Sequence, residues 1–292
     1  MKPAIKIFPL FLTLVILIFS CESSEEPDLN QPKIYLDSNG ITIRCEDCAV
    51  GDKGIVDGVE YEVVDNQLLR QRRDEGVDMT TLCTSLVTDM SDLFIESEFN
   101  QPIGNWDVSN VSDMSGMFHG TPFNQPIGDW DVSNVLTMGN ESDINLMGGM
   151  FQNSQFNQPI GNWDVSNVKN MIVMFMNSPF NQPIGNWDVG NVNNMTGMFW
   201  LSQFNQPIRN WDVSNVTNMG VMFNSSQFNQ PIGDWDVSNV FIMRAMFSLS
   251  PFNQDISNWC VELMTSEEQY ADFASSFVLA PENTPQWGTC PD

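Results

Sequence analysis

The stretch FNQPIGNWDVSNVSDMSGMF, residues 99–118, decides the fold because the chain repeats it. The triplet Phe-Asn-Gln recurs every 24 residues, except for one interval of 33 residues, and the tryptophan seven positions later keeps the same spacing. The nine extra residues are 139–147, inserted between two methionines that fit the same place in the repeat. A fixed period of this length is typical of arrays whose units become stable only when they stack. The triplet begins at Phe99, Phe123, Phe156, Phe180, Phe204, Phe228 and Phe252.

The apolar residues inside one unit predict a short strand followed by a helical turn. Residues 103–111 follow the L-x-x-L-x-L pattern of a leucine-rich repeat, with Ile, Trp and Val in place of Leu. Trp106 and Val108 would share one face of the strand, and Met114 and Phe118 one side of the turn. The sequence therefore predicts an α/β repeat solenoid, a leucine-rich-repeat-like stack of 24-residue units with a parallel β-sheet, capped at both ends.

The rest of the chain divides into a leader, a tether and two caps around the array at 82–259. Residues 1–21 carry two lysines and then an apolar run too short to cross a bilayer, as a signal peptide does. Residues 22–32 are acidic and contain proline, which favours a flexible tether. We expect residues 33–81 and 260–292 to cover the open ends of the array.

Local patterns predict the secondary structure of the N-terminal cap. Residues 41–44 and 59–64 alternate as strands do, and Asp57-Gly58 is a hairpin turn signal. Residues 66–75, NQLLRQRRDE, predict a short helix.

Two resemblances to known families rest on these residues. Residues 17–21, LIFSC, resemble the lipobox of bacterial lipoproteins, in which the cysteine, here Cys21, becomes the acylated first residue of the mature chain. The block FNQPIGNWDVSNV followed by M-x-x-MF, with the flanking motifs CTSLVTDM at 83–90, NWC at 258–260 and WGTCP at 287–291, resembles BspA-type leucine-rich-repeat surface proteins. That resemblance covers roughly residues 33–292.

The BspA-type resemblance implies an exported bacterial protein displayed on the cell surface, and some members are implicated in adhesion to host proteins or other cells. It carries over no catalytic residue and no ligand. We therefore expect a non-enzymatic lipoprotein, anchored by lipid to the outer membrane and facing the exterior. Its repeats would bind an extracellular protein, a cell surface or a glycan. The alternatives are a glycan-capturing lipoprotein beside a polysaccharide uptake system and a structural surface-layer protein.

Composition excludes several function classes. The 37 acidic and 11 basic residues give a net charge of −26 at pH 7, which would repel the phosphates of nucleic acid and an anionic membrane surface. Membrane contact is therefore expected through the lipid alone. The single histidine, His119, lies in a variable slot, where we expect a solvated loop residue. The chain has no nucleophile elbow, phosphate loop or paired-histidine zinc motif, so we predict no enzymatic activity.

Six units carry an aspartate directly after the tryptophan. On stacked strands these carboxylates would lie about 5 Å apart, and each adjacent pair would cost about 1 kcal/mol even in water. One interpretation is a column of oxygen ligands for Ca²⁺. The other, which we favour, is that each carboxylate accepts hydrogen bonds from nearby Ser or Asn; beyond this possible Ca²⁺ we expect no cofactor. The residues are Asp107, Asp131, Asp164, Asp188, Asp212 and Asp236.

Export favours disulfides over metal thiolates. Cys260 and Cys290 flank the C-terminal cap and are predicted to pair. Cys83, at the junction of cap and array, is predicted to pair with Cys45 or, as a weaker alternative, with Cys48. The acids between Cys45 and Cys48 would raise the pKa of either thiol and oppose a redox role.

Variation between units indicates where specificity could reside. Trp200, Phe241 and Arg244 occupy variable slots and are the candidate ligand-binding residues. An aromatic ring exposed beside Asn and Gln could stack on a sugar or contact a peptide, and the alternative for Trp200 is that it fills a groove between loops. The insertion 139–147 is interpreted as a tolerated loop.

The lipid assignment predicts the behaviour of a Cys21→Ala variant. Cells fed a labelled fatty acid should incorporate it into the wild-type chain and not into the variant, because the acylated thiol is gone. The variant should also leave the membrane fraction. Equal labelling of both chains would contradict the assignment.

Overall fold

The structure, a computed structural model, describes residues 33–140, 148–275 and 279–291. The predicted signal peptide 1–21, Cys21 and the tether 22–32 lie outside the described residues, as do residues 141–147 of the insertion. The described residues form one compact unit. Within the described ranges, no helix is long and apolar enough to cross a bilayer.

The N-terminal cap contains two small sheets and one helix. Strands β1 (Lys33–Leu36) and β2 (Ile43–Glu46) pair antiparallel. The second sheet has the order β3 (Lys53–Val56), β4 (Val59–Val63), β5 (Leu82–Cys83), and β5 runs parallel to β4. A 3₁₀ turn, Met79–Thr81, leads into β5. Strand β2 begins two residues later than the strand predicted at 41–44, because residues 38–41 form the turn that connects β1 to β2.

Two other local predictions for this cap are confirmed. Asp57 and Gly58 join β3 to β4 with φ angles of 51° and 83°, as a two-residue hairpin turn requires. Helix α1 spans Asn66–Glu75. The Asp65 carboxylate accepts from two amides of its first turn, and Gly76 ends it in the left-handed region with φ 69°.

Adjacent units are joined by a parallel ladder, but it lies at a different place from the predicted strand. The residue before the first methionine of each unit bridges the same residue of the next, as Asp113 does with Asp89 and with Thr137. Residues 106–108 form no strand. The backbone around these residues forms tight turns instead. Trp106 N–H donates to the carbonyl of Ile103, and Val111 N–H donates to the carbonyl of Val108. The parallel ladder includes strands β6 (Thr137–Gly139) and β7 (Asn170–Met171) and continues through Asn194, Asn218 and Ile242.

The predicted helical turn is also replaced, by a run of turns. Met117 N–H donates to Met114 within the unit, whereas Phe118 N–H donates to Met150 of the next unit at 2.9 Å. Because alternate amides bond outward, an α-helix cannot form. Gly116 and Gly120 adopt left-handed φ angles of 63° and 68°, and most other units repeat this pair of positions.

Three columns of aromatic rings fill the space between units. In the Met-Phe column successive phenylalanines lie 5.6–5.8 Å apart, and in the Phe-Asn-Gln column 6.0–6.3 Å apart. The two columns touch inside each unit, as at Phe118 and Phe123 with 3.9 Å between centroids. The tryptophans from Trp163 to Trp259 stack 6.4–6.5 Å apart. Each buried ring removes a large apolar area from water, on the order of 2 kcal/mol of stabilisation per side chain.

Buried polar groups are paired between units at fixed slots. From Trp130 onward each indole N–H donates to the isoleucine carbonyl of the preceding unit at 3.0–3.3 Å. The asparagine of each Phe-Asn-Gln triplet accepts from the backbone of the next one, as Asn100 Oδ1 does from Asn124 N–H at 3.0 Å. This structural asparagine ladder extends to Asn253.

The caps provide the partners that a missing unit would have provided. At the N-terminal end Met79 supplies the carbonyl for the indole of Trp106 at 2.9 Å. Arg44 lies 3.8 Å from the carboxylate of Asp107, which is buried. At the C-terminal end the carbonyls of residues 269–273, around the short helix α2 (Glu267–Tyr270), accept from the last unit. A 3₁₀ turn, Pro281–Asn283, follows.

The cysteine pairing agrees with one prediction and corrects the other. Cys260 and Cys290 are paired. The predicted partnership of Cys83 is wrong, because Cys45 pairs with Cys48 and Cys83 is free and buried. The thiol of Cys83 lies 3.7 Å from the carbonyl of Ile43, two residues before Cys45 on β2, and burial raises its pKa.

Two glycines provide a matched test of the packing between units. A Cβ at Gly149 would overlap the carbonyl of Val173, so Gly149→Ala should lower the unfolding free energy by about 2 kcal/mol.

Gly190 replaces the serine whose hydroxyl bonds the aspartate in most other units. Gly190→Ser should therefore add this bond to Asp188 and raise stability by about 1 kcal/mol. Urea unfolding of both variants measures these changes, and equal stability of the two would contradict the packing described.

Candidate functional site

The repeated aspartates accept hydrogen bonds from the turn that follows them. In the unit of Asp212, the carboxylate accepts from the amide and hydroxyl of Ser214 at 3.0 and 2.6 Å. The bond from the backbone amide recurs at the other five aspartates. The bonds from Ser166 and Ser214 hold the pKa values of Asp164 and Asp212 below the usual range. The negative charge is thus stabilised locally, as in an Asx turn.

This donor set does not fit the calcium column considered from the sequence. One oxygen of each carboxylate is already bonded to the following turn, and the residues do not lie on a strand. In the part of the chain that the structure describes, no group of three or more His, Cys, Asp or Glu side chains is placed to hold a metal ion. Asp107 differs from the others, since it is buried and accepts from Ser85 at 2.7 Å.

The three candidate ligand-binding residues do not form one site. Trp200 is half-buried in the turns of its unit, and its carbonyl accepts from Asn177 N–H at 2.7 Å. Phe241 is 43% exposed and Arg244 is exposed, but both lie two units further along, beside the parallel ladder. Phe241 directly precedes the ladder residue Ile242 and presents an exposed apolar ring.

His119 is not the solvated residue that was expected. Its side chain is buried, and burial lowers its pKa. Nε2 lies 3.4 Å from the Asn153 amide nitrogen and 3.9 Å from the Glu96 carboxylate, whereas Nδ1 has no hydrogen-bond partner. This burial could not be predicted from the repeat, because the equivalent slot holds both polar and apolar residues in other units.

Two surface grooves follow from the stacking. The first encloses about 480 Å³ along the return turns and is lined by Pro126, Gly128, Asp129, Pro159, Gly161, Asn162, Pro183 and Asn186. The second encloses about 260 Å³ on the side of the Met-Phe turns and is lined by Asn153, Gln155, Asn177, Ser178, Pro179, Leu201 and Gln203. We call the second the amide groove.

The sequence analysis did not predict the amide groove. Its members are separated by 24 residues along the chain and meet only because the units stack. Leu201 occupies a left-handed slot, with φ 59°, that holds residues as different as Gly120, Asn153, Ser225 and Leu249 in other units, so its identity alone does not mark the groove.

Comparison with protein families matches residues 66–141, 138–226 and 180–284 to the family described as Mycoplasma protein of unknown function, DUF285. The chain belongs to this family. The three matches overlap along the array, as repeats of one family should, and together they span most of the chain. Searches of curated proteins and of solved structures give no significant match. Membership in DUF285 supports the repeat and assigns no activity.

The bonded state of the aspartates predicts the response to calcium and to acid. Thermal melting at pH 7 should give the same Tm with Ca²⁺ and with EDTA. The folded chain depresses the pKa values of Asp164 and Asp212, so their stabilising contribution is present above about pH 4 and is lost as the pH falls further. Asp212→Asn should weaken this acid dependence. A rise of Tm on adding Ca²⁺ would contradict the hydrogen-bonded arrangement.

Proposed function

We propose that this DUF285 protein is a non-enzymatic surface lipoprotein of the BspA type, with a leucine-rich-repeat-like solenoid that serves as a scaffold for adhesion. Cys21 anchors the chain to the outer membrane by lipid, and the array faces the cell exterior. Its ligands are extracellular proteins, cell surfaces or the glycans that these carry. No nucleic acid is bound, because the net charge of −26 repels phosphate.

The observation that carries the proposal is the repetition of side chains at one spacing on the outer faces. Exposed slots recur from unit to unit because the ladders and ring columns hold every unit in the same orientation. The asparagine four residues after the tryptophan is an example. From Asn134 to Asn239 it is exposed, and its side-chain amide donates to a backbone carbonyl of the preceding unit. Many weak contacts of one kind then act together, which raises the avidity for an extended partner.

Two neighbouring proposals differ in what they predict. A glycan-capturing lipoprotein beside an uptake system would bind soluble polysaccharide and not intact cells. A surface-layer protein would associate with itself and bind neither.

Attachment of whole cells tests the proposal with the full chain. Cells that display it, and matched cells that lack it, are exposed to immobilised extracellular-matrix proteins, to other cells and to a glycan array. The displaying cells should attach to a protein or cell surface in a saturable way, and soluble chain should compete. Cells displaying the Cys21→Ala variant serve as the control for anchoring. Absence of any attachment, with ordered self-association instead, would contradict the adhesion proposal in favour of a surface layer.

A further inference from the structure

The amide groove is a neutral site on a strongly acidic protein. Its lining contains no charged side chain, although the chain carries a net charge of −26. Four of the lining residues, Asn153, Gln155, Asn177 and Gln203, have exposed side-chain amides. A side-chain amide carries a donor and an acceptor side by side, a combination that matches the hydroxyl groups of an uncharged sugar.

The backbone around the groove is already occupied. The amides of Asn153, Asn177 and Leu201 donate to carbonyls of the next unit at 2.8, 2.7 and 2.8 Å. Those of Gln155 and Gln203 donate to the preceding unit. An extended peptide recognised by strand addition needs a free edge, and none of these amides offers one. Recognition here must therefore use the side-chain amides.

Two apolar residues, Pro179 and Leu201, complete the lining. Leu201 is 46% exposed and lines the groove together with the amides of Asn177 and Gln203. An exposed aliphatic contact in the same lining as side-chain amides suits the C–H face of a sugar ring, with hydroxyls directed to the amides.

The orientation of two of these amides is set by a buried histidine. Asn177 Nδ2 donates to Asn153 Oδ1 at 2.9 Å, which leaves Asn153 Nδ2 directed at Nε2 of His119. Nε2 must accept, so neutral His119 carries its proton on Nδ1. Protonation of Nε2 would turn it into a donor toward Glu96 and remove the partner of Asn153. The charged groups that face His119 are Glu96 and Asp92, and both favour its protonation, whereas burial opposes it.

The geometry points to the amide groove as a binding site for a neutral glycan, with neutral His119 as the positioning residue for Asn153 and Asn177. This inference rests on the proposed function, since it names the chemistry by which the surface array holds one of its ligands. The volume of about 260 Å³ suits a single sugar residue of a longer chain rather than a buried ligand.

Binding of defined glycans to the full chain tests the site. Purified protein is titrated with neutral glucans, mannans and galactans, with anionic heparin and polygalacturonate, and with uncharged peptides. At least one neutral glycan should bind, and Asn177→Ala and Gln203→Ala should each raise its Kd by about tenfold. The matched control is Gln227→Ala, which removes the same exposed side chain one unit further along and outside the groove lining.

The outcomes separate the two proposals. Neutral-glycan binding that Asn177→Ala and Gln203→Ala leave unchanged would overturn the site and leave the adhesion proposal standing. Binding of peptides or anionic glycans alone would also overturn it. Cell attachment that fails altogether would overturn the proposed function, whereas glycan binding by the isolated chain would still be measurable.

The pH dependence tests the positioning role of His119. Affinity should fall only at a pH below the usual histidine range, because burial lowers the pKa of His119 and delays the gain of its proton. His119→Gln should retain binding at pH 7 and lose this pH dependence, because glutamine can partner Asn153 without titrating. Glutamine already occupies the same slot, buried, at Gln152, so the substitution fits the packing. An identical pH profile in both proteins would overturn the role of His119.

Discussion

A buried tryptophan must place its indole N–H against an acceptor, and the rest of the structure depends on how this requirement is met. The acceptor is never in the same unit, because it is the isoleucine carbonyl one unit earlier. A unit alone would therefore bury an unsatisfied donor or leave a large ring in water, and either is costly. Stacking removes both penalties at once. The same reasoning applies to the backbone ladder and to the asparagine slot.

The ends of the array show what this constraint demands. The N-terminal cap differs in sequence from a repeat, yet it places the carbonyl of Met79 where an isoleucine carbonyl would lie. At the other end Phe273 packs edge-on against Phe247 and against Trp287, so that the ring column stops on a perpendicular ring. Each cap thus pairs the polar groups and covers the apolar surface of the unit next to it, and it does not expose a further surface of the same kind.

Several elements could be predicted because their signals are local. Helix α1, the Asp57-Gly58 hairpin and the Cys260–Cys290 pair follow from caps, turn residues and spacing along the chain. The predicted strand at Trp106–Val108 was wrong for a physical reason. Alternation reports which side chains face the core, and here they do, but it does not report where the backbone donors go.

The candidate site depended even more on long-range contacts. The burial of His119 and the meeting of Asn153 with Asn177 arise from neighbours one unit away, and no periodicity within a unit encodes them. The pairing of Cys45 with Cys48 was missed because the position of Cys83 opposite Ile43 is set by the way β5 joins the sheet of β4.

The contact between Arg44 and Asp107 has a consequence for the folding of such a chain. Neighbouring units are nearly interchangeable, so a copy displaced by one unit would re-form almost all of the same bonds. Asp107 alone among the six aspartates meets an arginine of the cap, and it is buried there, whereas the others are exposed to solvent. A displaced unit would bring Asp131 to that place and leave Asp107 without its cap partners. The contacts with Asp107 therefore fix which unit packs against the N-terminal cap, and the array has a single alignment relative to that cap.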